Sequence, residues 1–269
     1  MARGSLTVVG TGIRVGAHVT AETIAAIKRA QQVFFLSADA LSLHWLRELN
    51  PTAESLHGFY AVGKPRTQTY QDIVAYVLAA VRSGLDVCLA VYGHPGVFAF
   101  PTHESVRRAR AEGYPATMYA AVSAEDCLFA DLGVDPGDGG CQSFEATDFL
   151  LHRRVFDPRS GLIIWQIGVI GVNVMREGGG PWNRDGLAAL TEVLAPHYPA
   201  EHEVVVYKAA VYQICEPEIE RISLAQLAGA PIPTLSTLYV PPAGSATVDP
   251  AMARRLGFAE EVAAGASAG

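Results

Sequence analysis

The sequence predicts an α/β protein of two α/β subdomains, with the active site in the cleft between them. Three observations predict it. Through the first 120 residues, short runs of Val, Leu and Ala alternate with amphipathic stretches, as strands alternate with helices in a parallel sheet. Beyond that point the strand-like runs are less regularly interleaved with helices, as in a mixed sheet. The third is one corner: the apolar run Asp86 to Tyr92 ends in Tyr92-Gly93-His94-Pro95-Gly96, where two glycines and a proline force a tight turn before a helix. Small ligands bind at such strand ends in open α/β sheets. A plain strand-to-helix connection explains the same turn. The subdomain boundary falls near Ala120, giving segments 1–120 and 121–242 and a flexible tail over 243–269.

The elements follow in order. Leu6 to Val9 is a strand that ends in Gly10-Thr11-Gly12; Gly16 is too far on for a dinucleotide fingerprint, so the glycines read as a tight turn or a ligand loop. Thr20 caps a helix over Ala21 to Ala30. Val33 to Ser37 is a strand, and Asp39 opens a helix carrying Leu43, Leu46 and Leu49. His57 to Tyr70 is polar, aromatic and basic together, with Gly63 and Pro65 inside it, so it is no regular element throughout. Loops this mixed often carry function. A helix from Thr67 to Ser83 buries Ile73, Val74, Val77, Leu78 and Val81, and Gly84 ends it. Thr102 caps a helix running to Glu112. Ala116 to Tyr119 is a strand. Ser123 and Asp126 form a capping box for a helix that runs to Leu132. Strands follow at Leu162 to Ile167, Glu203 to Lys208 and Leu235 to Val240. A helix over Arg184 to Leu194 follows the loop Gly178 to Pro181. Pro250 to Val262 is a weak helix, and the last residues, AAGASAG, read as disordered.

Composition narrows the partners. Of 269 residues, 50% are hydrophobic, which is enough for a large core. The net charge of −7, with 20 Lys and Arg in no long run, argues against a nucleic-acid backbone. No apolar run reaches the roughly 18 residues of a membrane span, and no secretory signal pattern opens the chain. Cys88, Cys127, Cys141 and Cys215 are dispersed, with no C-x-x-C, so neither a metal site nor a disulfide framework is expected. A cytoplasmic protein is the default. No G-x-S-x-G, H-E-x-x-H or phosphate-loop motif occurs, which disfavours hydrolase, nucleotidase and metalloprotease readings.

Four motifs together resemble the tetrapyrrole-methylase superfamily over residues 5 to 242. They are Leu6 to Gly12, Tyr92 to Phe98, Val122 to Asp126, and Ser236-Thr237. Most of that family has Gly-Asp-Pro at the central turn, whereas this chain has Gly-His-Pro. That departure, the run Ala124 to Leu132, and Y-x-x-G-K-x-R-x-x-T-Y over Tyr60 to Tyr70 resemble its borosin branch. The segment Val174 to Asn183 departs from the family pattern. The resemblance implies S-adenosylmethionine-dependent methylation of backbone amide nitrogens in a ribosomal peptide. It implies catalytic roles for Tyr60, Arg66 and Tyr70. It places Tyr92, His94, Val97, Phe98, Ser123, Ala124, Gln166, Tyr207, Ser236 and Thr237 at cofactor-contact positions, and it suggests a homodimer.

Those residue types suit that chemistry. An amide nitrogen is a poor nucleophile because its lone pair is delocalised into the carbonyl. Methylation therefore needs the N–H proton withdrawn and negative charge on the carbonyl oxygen stabilised. A phenol titrates near pH ~10, and a nearby cation lowers that value. Arg66 is thus expected to hold Tyr70, or in exchanged roles Tyr60, partly ionised as base, or to donate to the imidate-like oxygen. Some borosins carry their substrate at their own C-terminus. Only Ala243 to Gly269 follow the matched region here, so a separate precursor peptide, methylated in trans, is expected. Two alternatives are a methyltransferase of the same superfamily acting on a tetrapyrrole or other small molecule, and a non-catalytic cofactor-binding peptide scaffold. An RNA methylase of similar fold fits the acidic balance less well.

Overall fold

The computed structural model describes residues 4–36, 40–177 and 180–258. The first sheet has five parallel strands in the order β3-β2-β4-β1-β5: β1 (Ser5–Gly10), β2 (Gln32–Leu36), β3 (Glu54–Ser55), β4 (Asp86–Val91) and β5 (Ala116–Met118). Strands buried on both faces need apolar side chains on both, and β4 supplies them with Val87, Cys88, Leu89, Ala90 and Val91. Helices α1 (Ala21–Arg29) and α2 (Ala40–Leu49) cover one face, where Ala26, Ile27 and Leu46 pack on Val9, Phe35 and Cys88. Helices α3 (Arg66–Arg82) and α4 (Phe100–Ala111) cover the other, where Ile73, Val77 and Val106 meet Val8, Leu89 and Val91.

The second sheet is mixed, in the order β6-β7-β10-β8-β9: β6 (Cys141–Glu145), β7 (Gly161–Trp165), β8 (Glu203–Lys208), β9 (Glu218–Ser223) and β10 (Thr237–Val240). Only the β6–β7 pair is parallel. Helices α6 (Ala146–Leu151) and α7 (Arg184–Leu194) pack on one face through Phe149, Leu187, Leu190 and Leu194. On the other face α5 (Ala124–Leu132) sets Cys127 and Leu128 against Ile163, Val205, Tyr207 and Tyr239. A short helix, α8 (Pro250–Leu256), closes the described chain.

Two positions set the site. After β1 the chain departs to α1, and after β4 to α4, on opposite faces of the sheet, so a crevice opens at the carboxyl ends of these neighbouring strands. There the two glycine turns are stitched together: Gly93 N–H donates to the Gly12 carbonyl at 3.0 Å, and Gly12 N–H donates to the Gly93 carbonyl at 3.3 Å. Both residues have positive φ, 71° and 73°, which glycine adopts without strain.

Several expectations are met: the Thr20 cap, whose hydroxyl accepts from Thr23 N–H; the Ser123–Asp126 capping box; and the bounds of α7 and β8. Others need correction. Thr102 is no N-cap. The helix starts two residues earlier at Phe100, and the Thr102 hydroxyl lies inside the first turn, donating to the Ala99 carbonyl at 2.6 Å. Arg66 is the first residue of α3 and does not precede it. Strand β7 stops at Trp165, before the expected Ile167, and β10 starts at Thr237, after the expected Leu235. Helix α8 stops at Leu256, because Gly257 turns left-handed at φ 82°. The Asp39 cap, the start of the Gly178–Pro181 loop and the AAGASAG tail lie outside the described residues.

A methyl group at Gly10 tests the stitched corner. A Cβ there would strike the Gly93 carbonyl oxygen and lie 2.6 Å from Ala121 Cβ. Gly10→Ala is expected to cost about 1–3 kcal/mol, the usual price of overpacking. Urea denaturation should show a lower midpoint with an unchanged slope.

Candidate active site

A cavity of about 350 Å³ lies between the two sheets, within the ~300–1,000 Å³ typical of small-ligand sites. The carboxyl end of β4 and its turn supply Tyr92, Gly93, His94, Val97 and Phe98, and the start of α5 supplies Ser123 and Ala124. The second sheet supplies Trp165, Gln166, Tyr207 and Thr237. Tyr60 and Tyr70 close it from the irregular loop. Beside it runs a broader groove of about 730 Å³, lined by Arg66, Phe100, His103, Glu145, Leu151 and Asn173 among others. Tyr70, Phe98, Ala99 and Gln166 line both spaces and form the partition between them.

Backbone pairing holds the loop in place. Its residues 62–66 lie along the second-half segment 173–175: Gly63 N–H donates to the Met175 carbonyl at 3.0 Å and Arg66 N–H to the Asn173 carbonyl at 2.8 Å. Lys64 braces it from within, donating to the Phe59 carbonyl at 2.9 Å and pairing with Asp72 at 2.8 Å. One helical turn separates Arg66 from Tyr70, the spacing at which side chains on a helix meet. Arg66 Nε donates to the Tyr70 hydroxyl at 3.1 Å. The Tyr60 ring stands edge-on to Tyr70, with centroids 6.4 Å apart, and Phe100 stacks on the far side of Tyr70 at 6.0 Å.

This environment corrects one expectation about ionisation. Burial pushes the Tyr60 phenol up to about 12, the Tyr70 phenol adds to that, and Arg66 opposes it without prevailing. Tyr60 is therefore a held proton donor and no phenolate near neutral pH. Tyr92 is likewise pushed up to about 12, mainly by burial. Tyr207 lies above the usual phenol range, through burial and through donating to Asp131 Oδ2 at 2.7 Å.

The other expected residues divide into two groups. His94 Nδ1 accepts from Gly96 N–H at 2.9 Å, which tightens the corner. The Ser123 hydroxyl is engaged in its capping box, and by helix geometry the Ala124 amide is left without an intrahelical acceptor on the cavity wall. Val97, Phe98, Gln166, Tyr207 and Thr237 line the cavity as expected. Ser236 does not. Its hydroxyl is buried behind the wall, with no hydrogen-bond partner among the described residues. The sequence reading missed Trp165, which packs against Phe98 at 5.6 Å between centroids. It named Arg66, Tyr70, Phe98 and Gln166 but missed the groove they share, whose residues come from five separate stretches of chain. Among the described residues no group of three His, Cys, Asp or Glu could hold a metal ion, and no helix is long and apolar enough to cross a membrane.

The family model for tetrapyrrole (corrin/porphyrin) methylases matches residues 5–228. Among curated proteins, the chain is 39% identical over 243 residues to a methyltransferase/ribosomally synthesized cyclic peptide gymnopeptides precursor of Gymnopus fusipes, covering 89% of this chain and 57% of that one. It is also 39% identical to a type I borosin cyclic peptide precursor with methyltransferase of Coprinopsis marcescibilis, covering 89% and 62%. The omphalotin A precursor with methyltransferase of Omphalotus olearius is 39% identical, with 89% and 58% covered. The chain thus spans about six-tenths of the length of these relatives. Among solved structures, uroporphyrin-III-C-methyltransferase from Thermus thermophilus superposes with a TM-score of 0.62 at 19% identity, covering 90% of this chain and 93% of that one. Diphthine synthase gives 0.57 at 13%, covering 95% and 94%. At such identities these two show a common fold.

Alkaline titration checks the burial of Tyr60. Followed by ultraviolet absorbance, Tyr60→Phe should remove one phenol from the group titrating near 12 and none from the group near 10. The raised value also fixes a sign. The stabilisation from keeping Tyr60 protonated is whole below pH 10 and fades as pH rises toward about 12. Loss of a phenol titrating near or below 10 would contradict the geometry.

Proposed function

The chain belongs to the tetrapyrrole (corrin/porphyrin) methylase family, and we propose that within it this protein N-methylates backbone amides of a ribosomally made precursor peptide, with S-adenosylmethionine as methyl donor. The observation that carries the reading is the Arg66–Tyr70 hydrogen bond beside the partition between the cavity and the broader groove. Its relatives' names, which pair a methyltransferase with a cyclic peptide precursor, supply the substrate class.

The residues present fit the cofactor. Ring faces of Tyr92, Phe98 and Trp165 offer stacking surface, and Thr237 and the Ala124 amide offer polar contacts. When bound, S-adenosylmethionine supplies an electrophilic methyl group on sulfur. The chain's own residues prepare the acceptor. Tyr70, entering the step as the phenolate with its own proton already passed to solvent, takes the amide proton onto its oxygen, where the Arg66 donor stabilises the charge before transfer. Tyr60, which keeps its proton, donates to the carbonyl oxygen as charge gathers there, and Arg66 polarises the same group from the groove. The nitrogen gains a methyl group as it loses that proton, and holding acceptor and base in one place supplies much of the acceleration.

The rest of the reading concerns setting. The two subdomains, 1–120 and 121–242, enclose the cofactor, and the tail follows them. The peptide arrives as a separate chain through the groove, whose walls at Leu151, Phe98 and Phe100 are open to solvent. The enzyme works as a cytoplasmic homodimer, a state that sedimentation measures directly.

The precursor segment of the Omphalotus olearius relative, supplied as a separate chain, is the test substrate. Mass spectrometry should find steps of about 14 Da on that peptide, the covalent change of H to CH₃. Tyr70→Phe and Arg66→Ala should keep affinity for S-adenosylhomocysteine and lower turnover by about 10²–10⁴-fold. Tyr60→Phe should lower it by about 10²–10³-fold. Full turnover in either of the first two variants would remove the residue assignment, and a wild type that modifies no peptide would remove the reading.

A further inference from the structure

Three of the described residues other than glycine have positive φ: Phe98 at 49°, Arg153 at 46° and Gln166 at 61°. Two of the three, Phe98 and Gln166, stand on the partition between cavity and groove. The left-handed region strains an ordinary side chain and suits glycine. Gln166 occupies it at the end of β7, where the chain breaks from the sheet into a 3-10 turn over Ile167–Val169. Neighbouring elements fix that bend from outside: Ile167 N–H donates to the Ser236 carbonyl at 3.1 Å, and Trp182 N–H donates to the Gly168 carbonyl at 2.9 Å. The backbone therefore does not need the Gln166 side chain to hold its course. Nor does that side chain cap the turn, and its amide has no hydrogen-bond partner among the described residues.

A primary amide that closes no internal bond, at a position where glycine would relax the backbone, faces both spaces. Its chemistry matches one ligand class. It carries one acceptor and two donors in a plane, the complement of a single peptide unit. We propose that Gln166 is a register-setting residue. Its side-chain amide pairs with a peptide unit of the substrate in the groove, beside the one that Tyr70 deprotonates, and so decides which backbone nitrogen is presented. The inference rests on the function proposed above and goes beyond it, since it assigns the Gln166 side chain to the substrate in place of the cofactor contact that the resemblance implies. Phe98 is the apolar half of the same device. It leans on Trp165 and walls the groove without competing for the peptide's polar groups.

Gln166→Gly is the informative variant, because it removes the amide while relieving the strain, so its melting temperature should not fall. Gln166→Leu keeps bulk without hydrogen bonding. The probe is again the separate precursor segment of the Omphalotus olearius relative, with methyl positions read by tandem mass spectrometry. In both variants, affinity for S-adenosylhomocysteine should stay within about threefold by calorimetry. Methylation should fall by about tenfold or more and spread onto neighbouring amides, the loss expected when one oriented hydrogen bond of ~1.5 kcal/mol is removed. A merely structural role would lower yield without moving the positions. An unchanged pattern would overturn the assignment, and so would a loss of cofactor affinity in step with turnover. A wild type inert toward the probe would count against the function itself, and a methylating wild type with indifferent variants would count against Gln166 alone.

Discussion

The site depends on a strip of backbone pairing between two parts of the chain more than 100 residues apart. Residues 62–65 have no regular structure of their own and bury little apolar surface. Their course is fixed because Gly63 and Arg66 donate to carbonyls of Met175 and Asn173. Those bonds set the first turn of α3, and that turn sets Arg66 against Tyr70. If the strip opened, α3 would still pack through Ile73, Val74 and Val77, but the guanidinium and the phenols would lose their common orientation.

Electrostatics then divides labour between two phenols that the sequence treats alike. Both lie beside one guanidinium, and proximity alone would favour ionisation of either. Burial decides otherwise for Tyr60, because removing a charged oxygen from water outweighs a cation that donates its hydrogen bond elsewhere. The outcome is one oxygen receiving a positive donor and one oxygen keeping its proton. In the proposed reaction that pair serves an amide that loses a proton at nitrogen and gains charge at oxygen in the same event.

What was legible in the sequence was local. The Ser123–Asp126 capping box, the stripe of α3 and the Gly93 corner are each written within a few residues, and each was found where expected. Strand β9 was not legible. Glu218-Ile219-Glu220-Arg221 is polar on both faces and is a strand only because β8 offers it an edge. Strand β6 and helix α6 were missed for a related reason: their apolar residues are few, and Phe144 and Phe149 gain meaning only against Phe156 and the second core. For the site, the sequence named most of the residues that gather around the cavity but not their protonation, since burial is a property of the assembled loop. Ser236 shows the limit at finer scale. Along an extended chain alternate residues turn to alternate sides, so Thr237 lines the cavity and its neighbour Ser236 does not.

The Gly-His-Pro corner fits the same logic. A carboxylate in the middle position would accept the Gly96 N–H as the His94 ring nitrogen does, so the turn does not itself demand histidine. What changes is charge. With His94 there, no Asp or Glu side chain lines the cavity among the described residues. The positive charge of a sulfonium would meet aromatic faces, which attract cations without neutralising them. A site that leaves the methyl group electrophilic suits an acceptor as weak as an amide. It also leaves no carboxylate on the cavity side to draw the Arg66 guanidinium away from the Tyr70 oxygen to which it donates.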